Sequence, residues 1–353
     1  MSITEKKPRM EWLDAMRGFT MLLVVANHVS TIGFGEHIKT STSLSLLMLF
    51  RMPLFFFLSG FLCYKASYVW TRRSLADIVW KKFKVQVIPT IVFLLLAVCW
   101  LHKDFTAGLE AALASPYKDG YWFCWVLLQM FVAYYLFAWL ESKLPQQSPW
   151  PVIALWAAAL GVYATVYMPH YFTYHKADFF QYTSLIQTMI YFHFFLFGNI
   201  VRRHWAQAER LMDSRWLMPA VCLVAILCTT DIMKWHTLRG QWTNLPRTLS
   251  MYSLLILVIL FFRHYREHFS RQTRLGHTLQ YIGVRTLDVY LLHYFFLPHV
   301  SEVGHYLNTH SVGFVADTTL SLLAALLVVG FCLLCSSLLR ISPFLKLWLF
   351  GRK

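Results

Sequence analysis

Apolar runs close to the twenty residues needed to cross a bilayer recur along this chain, and no other feature limits its fold so strongly. About ten can be read, centred on 12–29, 44–64, 85–101, 121–140, 150–168, 182–201, 216–233, 247–262, 281–299 and 314–339. Within runs of this length only helices satisfy their own backbone hydrogen bonds. The expected fold is therefore all-α, a polytopic membrane bundle of about ten transmembrane helices. With 58% hydrophobic and 14% charged residues among 353, the whole of 1–353 reads as one integral membrane domain, with no segment long enough for a fused soluble domain.

Charge placement predicts the orientation. Lys6, Lys7 and Arg9 precede the first run, and Lys65, Arg72, Arg73, Lys81, Lys82 and Lys84 separate the second from the third. Arg202, Arg203, Arg210 and Arg215 follow the sixth, while Arg263, Arg266, Arg271 and Arg274 follow the eighth. The alternate connections are poorer in Lys and Arg, which places both termini in the cytoplasm. The formal charge of +15 falls in short clusters rather than one stripe, which argues against nucleic acid as a partner and for the lipid bilayer. Asp14 and Arg17 interrupt what would otherwise resemble a secretory leader, so the first span is expected to be retained. The seven cysteines lie in or beside apolar runs and give no disulfide framework. Cys332 and Cys335 lack a second pair, so they read as helix-packing residues and no metal site is expected.

Ionisable residues inside the spans are the candidate site. At about 100° per residue, the eleven steps from Arg17 to His28 place both on one helical face, about 16 Å apart along the axis. Asp14, three residues before Arg17, joins that face as its counter-charge. Such a stripe costs roughly 3 kcal/mol or more per group against lipid, so it is expected to line a cavity. A neutral His28 can take a proton from a hydroxyl or attack an acyl carbon. Arg17, always charged, suits a phosphate or a developing oxyanion. In the second span, the small Ser59–Gly60 pair permits close helix approach, and Arg51, with His28, is expected to border an outward vestibule. Tyr290 and His293 share a face of the ninth span, and a cavity lined by His28, Arg51 and His293 would suit a sugar hydroxyl. Lys81, Lys82 and Lys84, at the entrance of the third span, suit phosphates as well as topology.

These residues resemble the acyltransferase-3 family of membrane O-acyltransferases nearly end to end. Asp14-Ala-Met-Arg17-Gly18 with His28 is similar to the family's D-x-x-R/K-G opening and its histidine eleven positions after the basic residue. The run from Phe50 through Arg51 and Ser59 to Phe61 resembles the second signature, in the form of fucose O-acetylase-like and capsule-modifying members. Gly283 to His293 resembles the closing G-x-x-S-x-x-I/V-Y-L-x-H, with Thr286 for the usual Ser, and Tyr121–Trp125 and Phe192–Gly198 look like weaker landmarks.

The resemblance implies a cytosolic acyl-CoA donor, acetyl-CoA by preference, and a surface glycan or lipid-linked saccharide acceptor on the outer face of a bacterial-type cytoplasmic (inner) membrane. His28, Arg17 and Asp14 inherit the catalytic roles, and Arg51, Ser59, Trp122, Tyr290 and His293 are expected to meet the acceptor. The family's cytoplasmic R-x-x-R appears as Lys81 and Lys84, which keep the charge for the donor but lose the guanidinium fork. The rival expectation is a transporter or flippase that binds a saccharide or anion in the same polar cavity without making bonds.

Overall fold

The computed structural model describes residues 10–35, 41–66, 68–144, 148–167, 176–230, 245–310 and 313–351. Among these the secondary structure is helical, with no strand. Lys6, Lys7, Arg9, Lys39, Lys234, Arg239, Arg352 and Lys353 lie outside the described residues.

Five helices are long and apolar enough to cross a membrane: Leu44–Cys63, Arg72–Leu101, Trp122–Glu141, Leu245–His264 and Phe314–Leu339. The count rises to six if Trp205–Met212 and Leu217–Thr229, bent by 80°, form one span, and Trp150–Thr165 is a shorter apolar helix. Three further expected spans fall outside this set, two of them because of the polar residues they carry. The opening helix, Glu11–His28, holds Asp14, Arg17 and Asn27, and Leu185–Arg203 holds Gln187, His193 and Asn199. The ninth is broken: Arg274–Val284 ends at Arg285, Thr286–Leu292 follows, and His293–Phe296 closes as a 3-10 turn.

Two glycine crossings hold the core together. A Cβ on Gly18 would stand 1.9 Å from the Leu279 carbonyl oxygen, and one on Gly283 would stand 1.9 Å from that of Asp14. A Cβ on Gly60 would meet the Phe195 carbonyl oxygen at 1.8 Å, and one on Gly198 that of Phe57 at 2.0 Å. Backbones can approach this closely only where no side chain intervenes, and lipid supplies no hydrophobic drive to compensate for a looser fit. The first crossing joins the opening helix to Arg274–Val284, and the second joins Thr42–Cys63 to Leu185–Arg203.

The break at Arg285 redirects the chain. Before it, Asp14 lies against Gly283 and Gly18 against Leu279, an antiparallel sense; after it, Arg17 meets Thr286 and His28 meets His293, a parallel one. Interrupted helix at membrane depth is tolerated where protein encloses it, and it presents side chains that a straight helix would turn away. Asp288 fixes the redirected piece: its carboxylate, 2% exposed, accepts from Ser336 Oγ at 2.6 Å and from Arg340 Nη2 at 2.7 Å and Nε at 3.0 Å.

A strained turn feeds the Trp122–Glu141 helix. Lys118 and Asp119 both have φ of 49°, and Gly120 follows at 94°. Left-handed backbone at non-glycine residues persists only when its surroundings impose it. Here the Lys118 ammonium donates to the carbonyl oxygens of Leu113, Ser115 and Gln181 at 2.7, 3.0 and 3.1 Å. Just upstream, Asp104 caps the Phe105–Ala114 helix; the Thr106 hydroxyl, with the Ala107 and Thr106 N–H groups, holds its carboxyl below the ordinary value.

Candidate active site

The opening helix ends at His28, where the backbone passes into a π-helical turn, Val29–Gly33. Such turns often mark functional positions, because they shift the face that side chains present. His28 Nδ1 lies 2.8 Å from His293 Nε2, and the two rings stack at 5.0 Å. On its far side His293 Nδ1 faces the carbonyl oxygens of Tyr290 at 2.8 Å and Val289 at 3.1 Å.

These contacts fix the protons. A carbonyl oxygen can only accept, so His293 Nδ1 carries the hydrogen. In a neutral pair, His293 Nε2 is then the acceptor and His28 Nδ1–H donates to it. His28 Nε2 is left with its lone pair, approached among the described residues by the Tyr294 hydroxyl at a long 3.5 Å. The arrangement orients a base through a second group, as a general base requires. His293 has both ring nitrogens engaged, one with His28 and one with main-chain carbonyls.

Arg17 Nη2 donates to Thr286 Oγ1 at 3.3 Å, and Nη1 stands 3.5 Å from Asp14 Oδ1. It lines a cavity of about 180 Å³ with Ser59, Lys82, Gln86, Thr286 and Tyr290, and among the described residues no carboxylate lines that cavity. Ser59 donates its hydroxyl back to the Phe55 carbonyl at 2.9 Å. Gln86 Oε1 is buried without a hydrogen-bond partner. His28 does not line this cavity, so the single chamber expected for Arg17 and His28 resolves into two loci about 16 Å apart along one helix face.

Tyr290 connects the two. Its ring lines the Arg17 cavity and lies 6.2 Å from the His293 ring. Its hydroxyl donates to the Gly120 carbonyl at 3.0 Å and accepts from Phe123 N–H at 3.1 Å, satisfying an N-terminal donor of the Trp122–Glu141 helix. Tyr290 thus lines the cavity while its hydroxyl is engaged with main chain.

Arg51, on Thr42–Cys63, is half-buried, with Nε and Nη1 covered, and lies within electrostatic range of His28, Tyr191 and Tyr294. Trp122 stacks on Tyr191 at 6.1 Å, which puts it beside the same locus. Lys81 and Lys84 are exposed, with Lys84 Nζ 5.5 Å from the Trp80 ring. Lys82, between them, is the lysine that faces the cavity, its ammonium 3.9 Å from the Phe131 ring. Tyr294 and Gln86 were not among the expected site residues. The i, i+4 spacing of Lys82 and Gln86 is the one signal that sets Lys82 apart from its neighbours.

No curated protein and no solved structure matches the chain. A family model described as an acyltransferase domain matches residues 10–341, a stretch that begins just before Asp14 and ends just after Arg340, and the chain therefore belongs to the acyltransferase-3 family of membrane transferases.

Proposed function

We propose that this protein transfers an acyl group, acetyl by preference, from cytosolic acyl-CoA to a hydroxyl of a cell-envelope saccharide, with His28 Nε2 taking the hydroxyl proton. The carrying observation is the chain from the Tyr290 carbonyl through His293 to His28, which leaves one unprotonated nitrogen at the free end. The acyltransferase family match supports the reaction class. The resemblance of the second signature to fucose O-acetylase-like and capsule-modifying enzymes motivates a surface glycan as acceptor.

The Arg17 cavity suits the donor. Two cations, Arg17 and Lys82, with no carboxylate among the described lining residues, favour an anionic partner, and the orphaned Gln86 Oε1 can accept from an amide N–H such as those of a pantetheine arm. A thioester on such an arm would pass the Tyr290 ring to reach His28. Holding donor and hydroxyl there replaces a bimolecular encounter with a positioned one.

We place the protein in a bacterial-type inner membrane with ten spans and cytoplasmic termini. The five long helices, the bent pair, Trp150–Thr165 and the three polar or broken segments add to that number. In that topology Lys82 lies toward the cytosol and His28 toward the outer face.

The test is incubation of membranes with labelled acetyl-CoA, followed by recovery of the envelope saccharides. Label is expected in a saccharide ester with the parental protein and absent with His28→Ala. Labelling at the parental rate by His28→Ala sinks the assignment.

A further inference from the structure

Among the described residues, no carboxylate pairs with Arg51. Its Nε and Nη1 are buried and make no hydrogen bond. Two other arginines packed within the helices have carboxylates: Arg340 has Asp288, and Arg203 has Glu141 through two bonds of 2.7 Å. A guanidinium with two covered and unbonded nitrogens inside a membrane bundle is costly, and an anion that arrives during the working cycle would offset that cost.

The place where that anion forms is set by the neighbours. Arg51 lies within electrostatic range of His28, Tyr191 and Tyr294, and the Tyr191 ring stacks 5.0 Å from Phe56 of the same helix as Arg51. The Tyr294 hydroxyl rests 3.5 Å from His28 Nε2, and its ring packs 5.1 Å from the His28 ring and 4.0 Å from that of His293. The 3.5 Å contact is long for a hydrogen bond, so an incoming hydroxyl can displace it and free the Tyr294 O–H to donate elsewhere.

Gly120 makes room for the phenol. A Cβ there would stand 2.0 Å from the Tyr294 hydroxyl oxygen.

We propose that Arg51 and Tyr294 form an anion hole beside His28 Nε2 that holds the oxyanion of the acyl group in transit. This rests on the acyl-transfer reading above. The acceptor oxygen bonds to the thioester carbonyl carbon while its proton passes to His28 Nε2. The carbonyl π pair moves onto the oxygen, which Arg51 and Tyr294 hold. Collapse reforms the carbonyl and breaks the carbon–sulfur bond, and the departing thiolate takes the proton from His28, leaving ester and thiol. Donors fixed in a dry site where charge develops act on the transition state more than on the bound substrates.

Full-length Arg51→Gln, Arg51→Lys and Tyr294→Phe proteins are assayed with labelled acetyl-CoA and the envelope saccharide fraction, with kcat and both KM values measured. Arg51→Gln is expected to lower kcat by roughly 100- to 1000-fold, as loss of an oxyanion donor does, with each KM within about threefold of the parent. Arg51→Lys is expected to recover part of the rate, and Tyr294→Phe to lose about tenfold. Loss confined to the acceptor KM overturns the proposal and assigns Arg51 to an anionic group of the acceptor instead. Parental kcat in Arg51→Gln overturns it too. Should Arg51→Gln not fold, parental kcat in both Arg51→Lys and Tyr294→Phe overturns it. A parental protein that transfers no acetyl group sinks the functional reading itself, an outcome distinct from an active enzyme indifferent to Arg51.

Discussion

Gly18 and Gly283 each occupy the point where a methyl group would enter the other helix's backbone, since the Cβ of either would lie 1.9 Å from a carbonyl oxygen across the crossing. The obstruction is main chain, which has no rotamer to change. Gly18→Ala and Gly283→Ala are each expected to destabilise by about 1–3 kcal/mol, read as a lowered thermal midpoint in detergent. Both also push Arg17 from Thr286, so activity should fall with stability. Gly330→Ala, in Phe314–Leu339 with nothing within 4 Å, is the control and is expected to be neutral or stabilising by up to about 1 kcal/mol.

His293 acts by accepting from His28 Nδ1, so the chemistry of its replacement matters more than its volume. A side-chain amide oxygen can accept that hydrogen bond, whereas a hydrocarbon leaves His28 free to rotate or to carry its proton on the wrong nitrogen. His28→Ala is expected to lose about 100- to 10,000-fold in kcat, the range of a general base. His293→Gln should keep measurably more activity than His293→Leu. Equal rates for those two variants, at equal thermal stability, would rule out the hydrogen-bonded pair as the source of the base.

Much of this geometry could be read from residue order, and the part that could not shares one cause. The common face of Arg17 and His28 follows from helical periodicity, and the structure turns both toward the same redirected segment, at Thr286 and His293. The close approach expected at Gly60 is found against Phe195, and Gly18, Gly198 and Gly283 prove to be crossings as well. The engagement of both His293 nitrogens was hidden because its partner lies 265 positions away and its other bonds are to main chain. Lys82 was masked by its own cluster, since three near-adjacent lysines satisfy topology equally and only packing decides which one enters the cavity. The break at Arg285 lies outside the usual signals too, as no proline marks it.

Lys82 separates from Lys81 and Lys84 by experiment as well. Only Lys82 lines the cavity with Arg17, while the other two are exposed. Exposed charges near a headgroup layer contribute to topology and lipid contact, and each is individually replaceable. Lys82→Met is expected to raise the acetyl-CoA KM about tenfold, the equivalent of one charge-assisted contact, with Lys81→Met and Lys84→Met within about twofold of the parent. Steady-state kinetics at fixed ionic strength decide it, and a larger shift in either exposed variant would move the donor phosphates out of this cavity.

Asp288 supplies the last prediction, because it ties the site-bearing segment to the Phe314–Leu339 helix and Arg340 without touching the chemistry. Removing one member of a buried ion pair strands the other, a loss of about 3–5 kcal/mol, whereas replacing both with apolar residues is often neutral. Asp288→Ala is therefore expected to lower thermal stability sharply, and Asp288→Leu combined with Arg340→Met to regain most of it. The double variant keeps the packing of Thr286–Leu292 but loses the directional bonds that orient it, so the two readouts should part: stability near parental, kcat still reduced because His293 is held less firmly against His28. A double variant that recovers both in equal measure would mean that packing alone, and not the Asp288–Arg340 clamp, sets the position of the histidine pair.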